Sequence, residues 1–472
     1  MHKKTILFTI ELSDRELFPK CLLAIEMIKA GFRVYIGTFR SIHETRKRIK
    51  SCIFFHKSSY TRRIRQYRRD MGAVVAIMDE EAGVAIPAHR MNDFCKERYG
   101  KLSKEDYDYV FTIGEGYRNR LSTFRNLDGI QIIASGWPRI DLWREEYAVI
   151  HQKKRDEIHR QHGDYILFIS SFGFTSRTGY EFKLKRAQSE SRIKAVHNTF
   201  NALNNYIQLI SRLAAETNEK IVVRPHISES IEEWRSIFSA YPNVTVCRDG
   251  DVAPWLLAAS SVITYRSTVT LQAALNGIPT VQYKINEIDG IDDVPVFKVS
   301  KCVDSYEEVV NYLNLYKTSA ERDKLRLQAI EVLKNDVSSL SAQTAASKIA
   351  ETLARIDVAP QPEIAVPSLM KAMFYGWDRY KYLEHKTRKL LFKKRASYRP
   401  SRFDKVPNGI QSEEIRSIVD RLTEADANGW SGKDIVCKQV SVNLVMLQAS
   451  DYAPGCSIAS ENGQEPAFRA GS

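Results

Sequence analysis

Short unbroken apolar runs recur along this chain, each followed by a stretch with helical spacing, and the alternation restarts once. A run of roughly four to six apolar residues between polar ones marks a strand buried on both faces. That demands a parallel sheet covered by helices on either side. The first series predicts strands at 5–11, 33–38, 74–78, 109–113 and 131–134, with a helix over 17–30 that Gly31 ends. The second predicts strands at 165–170, 220–224, 244–247, 261–265 and 279–283. Its helices are expected over 193–217, 269–276, 306–318, 319–335 and 341–356, and a charged helix over 151–163 bridges the two series. The expected fold class is α/β, with two Rossmann-like lobes facing a cleft and a helical C-terminal extension. The lobes span 1–150 and 151–357, and the extension 358–472.

The extension changes character. Three prolines in 359–367 read as a linker, 369–399 as a basic, aromatic-rich amphipathic helix, and 412–422 as a short helix. The stretch 448–472 is small and polar and is expected to be loose. A length of 472 residues with 43% hydrophobic content exceeds one ordinary core and suits two lobes plus an appendage. A net charge of +13 attracts phosphate-bearing partners such as nucleotide diphosphates, nucleic acid or anionic lipid. No nucleic-acid-binding module is recognisable, so nucleic acid is not an expected partner. The seven cysteines are scattered without CxxC or zinc-ligand spacing, which suits reduced thiols in the cytosol. The N-terminal apolar run stops at Glu11, too short for a signal peptide, and no window approaches the ~18 apolar residues of a membrane span. The expectation is a cytoplasmic protein, peripheral on the inner face of the membrane.

Candidate chemistry gathers at strand ends, where ligands of open α/β sheets bind. Arg224-Pro225-His226 follows a strand, and its two basic side chains can hold a phosphate or protonate a departing one. The alternative is a histidine that satisfies a loop carbonyl. Ser267, Thr268 and Thr270 stand where a strand runs into a helix, so they either cradle a nucleotide phosphate or cap the helix. Asp79-Glu80-Glu81-Ala82-Gly83 places adjacent carboxylates after a strand, either a general base or a solvated turn. Glu11 ends the first strand at the cleft, and Arg139 in Gly136-Trp137-Pro138-Arg139-Ile140-Asp141 faces the cleft or bridges to Asp141. Ser170 and Ser171 open a loop able to touch phosphate. Arg62, Arg63, Arg65, Arg68 and Arg69, with Tyr60 and Tyr67, form either a basic acceptor-facing helix or a solvated face. Asp249, Asp251, Asp289, Asp292 and Asp293 read as solvated turns rather than ligands, so no metal is expected.

In order along the chain, TIELSDREL…LLAIEMIKAGFRVYIGT, the EEAG turn, YVFTIGEG, SGWPRIDLW, YILFISSFGF, IVVRPHISESIEEW and ITYRSTVTLQAALNGIPTVQY resemble the bacterial surface carbohydrate biosynthesis proteins. That family is similar to two-lobed GT-B-like nucleotide-sugar transferases. More distantly, it is similar to capsule Kdo transferases and CDP-glycerol glycerophosphotransferases. The resemblance implies a glycosyltransferase building a polysaccharide of the lipopolysaccharide O-antigen or capsule type. Its donor would be a CMP- or UDP-linked sugar, its acceptor lipid-linked or an oligosaccharide, and it would need no cofactor. It further implies that Arg224, His226, Ser267 and Thr268 bind the donor and that Glu80 or Glu81 stands at the reaction centre. The chain departs from the family pattern at Ile227, at Trp137 and at Gln272, where a ribose-binding glutamate is common. The rival readings are a CDP-glycerol-type glycerophosphotransferase and a non-catalytic protein that only binds nucleotide or glycan.

Overall fold

A computed structural model describes residues 2–57, 61–79, 84, 86, 88–284, 294–315, 318–391, 402–425, 429–451 and 453. The first lobe is built on β1 (Thr5–Ile10), β2 (Arg33–Thr38), β3 (Cys52–His56), β4 (Ala73–Met78), β5 (Tyr109–Thr112) and β6 (Gln131–Ala134). The second is built on β7 (Ile166–Ile169), β8 (Ile221–Arg224), β9 (Val244–Val246), β10 (Ser261–Thr264), β11 (Thr280–Tyr283) and β12 (Lys301–Val303). Every residue of β1 and β7 is buried, as strands covered on both faces must be. The six strands of the second sheet run parallel in the order β12-β11-β10-β7-β8-β9. The order turns back on itself between β7 and β10, and that is where a crevice opens for ligands.

The first sheet has eight strands, ordered β13-β14-β2-β1-β3-β4-β5-β6. Its switch point lies between β1 and β3. Strand β3, the buried run CIFFH, was not among the sequence expectations. Nor were β13 (Ile435–Ser441) and β14 (Leu444–Ala449), a hairpin that lies antiparallel to β2 from Leu444 opposite Gly37 to Leu447 opposite Val34. Residues 448 and 449, expected to be loose, therefore belong to a sheet, and part of the C-terminal extension completes the first lobe.

Seven helices matter below: α1 (Ser13–Lys29), α2 (Val149–His162), α3 (Glu190–Glu216), α4 (Val269–Leu275), α5 (Ala345–Ala354), α6 (Ser368–Leu391) and α7 (Ser412–Glu424). Helix α5 follows the second sheet in sequence, yet Ile349 and Leu353 are buried in the core of the first lobe. The segment leading into it is tied across by Ser338 N to Ile113 O at 2.8 Å and Ser339 Oγ to Ser135 O at 2.8 Å. Gly136, at φ +86°, permits this approach, because a Cβ there would stand 2.4 Å from the Ser338 carbonyl. Asp141, fully buried, accepts hydrogen bonds from Ala345 N at 2.9 Å and Ala346 N at 2.8 Å, the first turn of α5. Among the described residues no helix is long and apolar enough to cross a membrane.

Burial pushes the Asp141 carboxyl up to about 6, against the pull of the two amides and of Arg144. A raised acid is stabilising while protonated, so its contribution is full below about 3.8 and is lost as pH rises through about 6. Asp141→Ala should cost about 1–3 kcal/mol in urea unfolding, since two buried amides lose their acceptor. Asp141→Asn should flatten the stability–pH curve across that window, and an unchanged curve would contradict the assignment.

Candidate functional site

The ends of β7, β8 and β10 lie side by side, in register at Ile169, Arg224 and Thr264. The sequence candidates of the second lobe therefore share one edge. His226 is exposed there, and its backbone N–H donates to Ser170 Oγ at 3.1 Å. Its ring Nδ1 lies 3.2 Å from Ser228 N and 2.7 Å from Ser228 Oγ. A backbone amide can only donate, so Nδ1 is the acceptor and the neutral ring carries its proton on Nε2. An imidazole held this way can donate from Nε2 to a phosphate oxygen.

Ser267 and Thr268 are half-buried at the start of α4. Ser267 Oγ accepts from Val269 N at 3.3 Å, while Thr268, at the N-cap position, makes no side-chain capping bond. Arg266, at φ +50°, turns the chain there, with its N–H donating to Gln282 Oε1 at 2.9 Å. Thr270 and Gln272 lie on the protein side of the same helix, 0% and 2% exposed. The structure thus brings His226, Ser171, Ser267 and Thr268 to the edge and leaves Thr270 and Gln272 behind it.

Two side chains work differently from the sequence reading. Arg224 is buried, donating to Asp249 O at 3.0 Å and Gly250 O at 2.8 Å and lying 5.4 Å from the Trp255 ring centre. It braces the 249–251 turn, where Asp251 also caps Ala253 N at 3.1 Å. The loop after β7 has its amides occupied: Phe172 N and Gly173 N donate to Glu229 at 2.7 and 2.9 Å. Glu229 is 4% exposed and also accepts from Trp234 Nε1 at 3.0 Å and from the Ser170 hydroxyl. Ser171 donates its hydroxyl to Tyr265 O, tying the β7 loop to the β10 loop. Sequence reasoning gave Glu229 no role. Its signal was the acid three residues after His226, directly before a helix.

On the first lobe, Glu80 and Glu81 lie outside the described residues, as do Tyr60, Asp289, Asp292, Asp293 and the Arg62 side chain. Asp79, just before the two glutamates, is buried and paired with Arg98 at 3.0 Å. Arg139 lies 5.5 and 5.9 Å from the ring centres of Trp137 and Trp143, while its expected partner Asp141 is engaged with α5. Arg65 and Arg68 pair with Asp106 and Asp108, each at 2.6 Å, which is a structural use of that basic helix.

Glu11 ends β1 in a chain of alternating charge. Buried Glu16 meets Lys57 at 2.8 Å, Lys57 meets Glu11 at 2.5 Å, and Glu11 meets Lys405. Burial alone would raise the Glu11 carboxyl, but Lys405 and Lys57 outweigh it and hold it at about 2. Such a carboxylate is a poor proton acceptor near neutral pH, so its role is electrostatic. Asp14, one turn further on, feels the charges of Asp251 and Arg224, so the end of β1 faces the second lobe. Burial and the charge of Asp251 raise its carboxyl.

No family model matches the chain. No curated protein matches it. Among solved structures, it is similar to the wall teichoic acid polymerase TagF at 12% identity and TM-score 0.44, covering 74% of this chain and 87% of that one. It is similar to the UDP-GlcNAc 2-epimerase of Methanocaldococcus jannaschii at 11% identity and TM-score 0.44, covering 74% and 98%. Anabaena HepE, in complex with UDP-glucose, aligns at 11% identity and TM-score 0.41, covering 75% and 100%.

Glu229→Ala should destabilise the fold by about 2–4 kcal/mol, because two loop amides and an indole N–H would be buried without an acceptor. Chemical denaturation measures this. A loss under about 0.5 kcal/mol would mean that the loop does not depend on Glu229.

Proposed function

We propose that this protein is a glycosyltransferase that moves a sugar from a nucleotide-activated donor to a growing surface polysaccharide at the inner face of the cytoplasmic membrane. The reading is supported by one observation: exposed His226 follows β8, and Ser267 and Thr268 follow β10, the two strands that flank β7 at the switch-point edge of a parallel sheet. A nucleotide diphosphate fits that edge, with phosphate oxygens toward Nε2 of His226 and the two hydroxyls. Negative charge grows on the departing phosphate as the glycosidic bond breaks, and a fixed donor aimed there lowers the barrier without a metal. Arg224 acts through the 249–251 turn and is a positioning residue. Glu80 or Glu81, which follow β4 in sequence, takes the proton of the acceptor hydroxyl. Closure of the lobes excludes the water that would hydrolyse the donor.

His226 is exposed, so His226→Ala should leave the thermal midpoint within a degree or two, as surface changes do. Turnover, read as release of nucleotide from the bound donor, should fall about 100-fold or more. A folded variant with normal turnover would remove His226 from the mechanism. Release of CMP with a phosphodiester product would transfer the reading to glycerophosphate transfer.

A further inference from the structure

A cavity lies at the switch point of the first sheet, roofed by α6 and away from the second lobe's edge. It measures about 1060 Å³. The ends of β1, β2 and β3 form its floor, and Tyr375 and Tyr382 of α6 lie above. Six cations line it: Arg40, Lys57, Arg63, Lys371, Arg379 and Lys405. Among the described lining residues the acids are Glu11 and Asp378, so cations outnumber carboxylates there. Glu44 and Glu16 stand behind the wall, paired with Arg40 and Lys57. Among the described residues, Arg63, Lys371 and Arg379 pair with no carboxylate, and Arg379 donates to Tyr375 Oη at 3.3 Å. His56 adds no charge, because burial, Lys57 and Lys20 press its ring down to about 3.

The roof helix has a second face. Leu369, Met373, Trp377, Tyr380 and Leu383 are between 49% and 75% exposed. At about 100° per residue they fall within roughly a third of the circumference. Lys371, Tyr375, Arg379 and Tyr382, which line the cavity, fall on the opposite side. One side of α6 thus offers water a row of large apolar groups, and the other closes a cationic chamber. An apolar row on a basic helix fits the interfacial zone of an anionic bilayer.

We propose that this cavity receives the diphosphate head of a membrane-anchored lipid, whose chain stays in the bilayer on which the apolar row of α6 lies. The inference names the acceptor class for the transferase reading above and rests on that reading only for the word acceptor. The cationic lining takes the place of the water and counterions around the diphosphate, and Tyr375 and Tyr382 supply stacking faces for the first sugar.

The test is flotation with phosphatidylcholine vesicles carrying a polyisoprenyl diphosphate, against vesicles brought to the same surface charge with phosphatidylglycerol. The native protein should prefer the diphosphate by about tenfold or more, the scale of one or two charge-assisted hydrogen bonds. Lys371→Ala/Arg379→Ala should abolish that preference while still binding phosphatidylglycerol. Leu369→Ser/Met373→Ser/Leu383→Ser should weaken binding to both. All five side chains are exposed, so folding is preserved. Equal binding to the two vesicles, or a preference that survives in the double variant, would overturn the proposal. So would equally tight binding of inorganic diphosphate without vesicles, which would assign a soluble anion. Neither readout involves a nucleotide, so failure here leaves the donor edge standing, and failure there leaves this site standing.

Discussion

The hydrogen bonds from Ala345 and Ala346 to Asp141 tie the chain leaving the second sheet to the core beneath the first. A parallel sheet collects its loops at the carboxyl ends of the strands, so each lobe has one chemically useful edge. The two edges serve one reaction only if they are aimed at each other. That aim is set where the chain leaves the second sheet, crosses over Gly136 and starts α5 against the first lobe's core. A buried carboxylate at a helix start joins the two requirements, helix capping and lobe orientation, in one side chain.

The same device recurs at the site. Glu229 holds the β7 loop from within, and Glu16 accepts the Glu11 amide at 2.8 Å while pairing with Lys57. Buried charge is costly unless it is fully hydrogen-bonded, and each of these carboxylates is. The result is an edge at β7 and β8 whose loop is held by its own hydrogen bonds. A ligand that the edge takes would therefore lose little loop entropy on binding. The two switch points also differ in what they present: β7/β10 an exposed imidazole and hydroxyls, and β1/β3 a cavity lined by cations under α6.

Most strand positions were legible because buried parallel strands are unbroken apolar runs, whereas their order in each sheet was not read. The run IVVR became β8 and SVIT became β10 nearly to the residue. The hairpin was not legible for a physical reason. Strand β13 alternates buried and exposed side chains, and the partner of β14 lies about 400 residues away, at β2. The edge that carries His226 was readable from strand ends alone. Which neighbours turn inward was not: the rotation of α4 buries Thr270 and Gln272, and carbonyls of a distant turn capture Arg224. The departure at Gln272 thus falls on a buried position.

The claim that binds these pieces is that a nucleotide diphosphate sits on the second lobe's edge. It is tested most directly by thermal unfolding of the full chain with CMP, CDP, UDP, GDP and their sugar conjugates. A ligand at a hundredfold excess over its Kd adds about 2.7 kcal/mol to stability. The account predicts a raised midpoint with one nucleotide class, and loss of that rise in Ser267→Ala/Thr268→Ala, measured against the double variant's own unliganded midpoint, which loses only the Ser267–Val269 bond. Unmoved midpoints with every nucleotide, or a shift that the double variant retains in full, would contradict it.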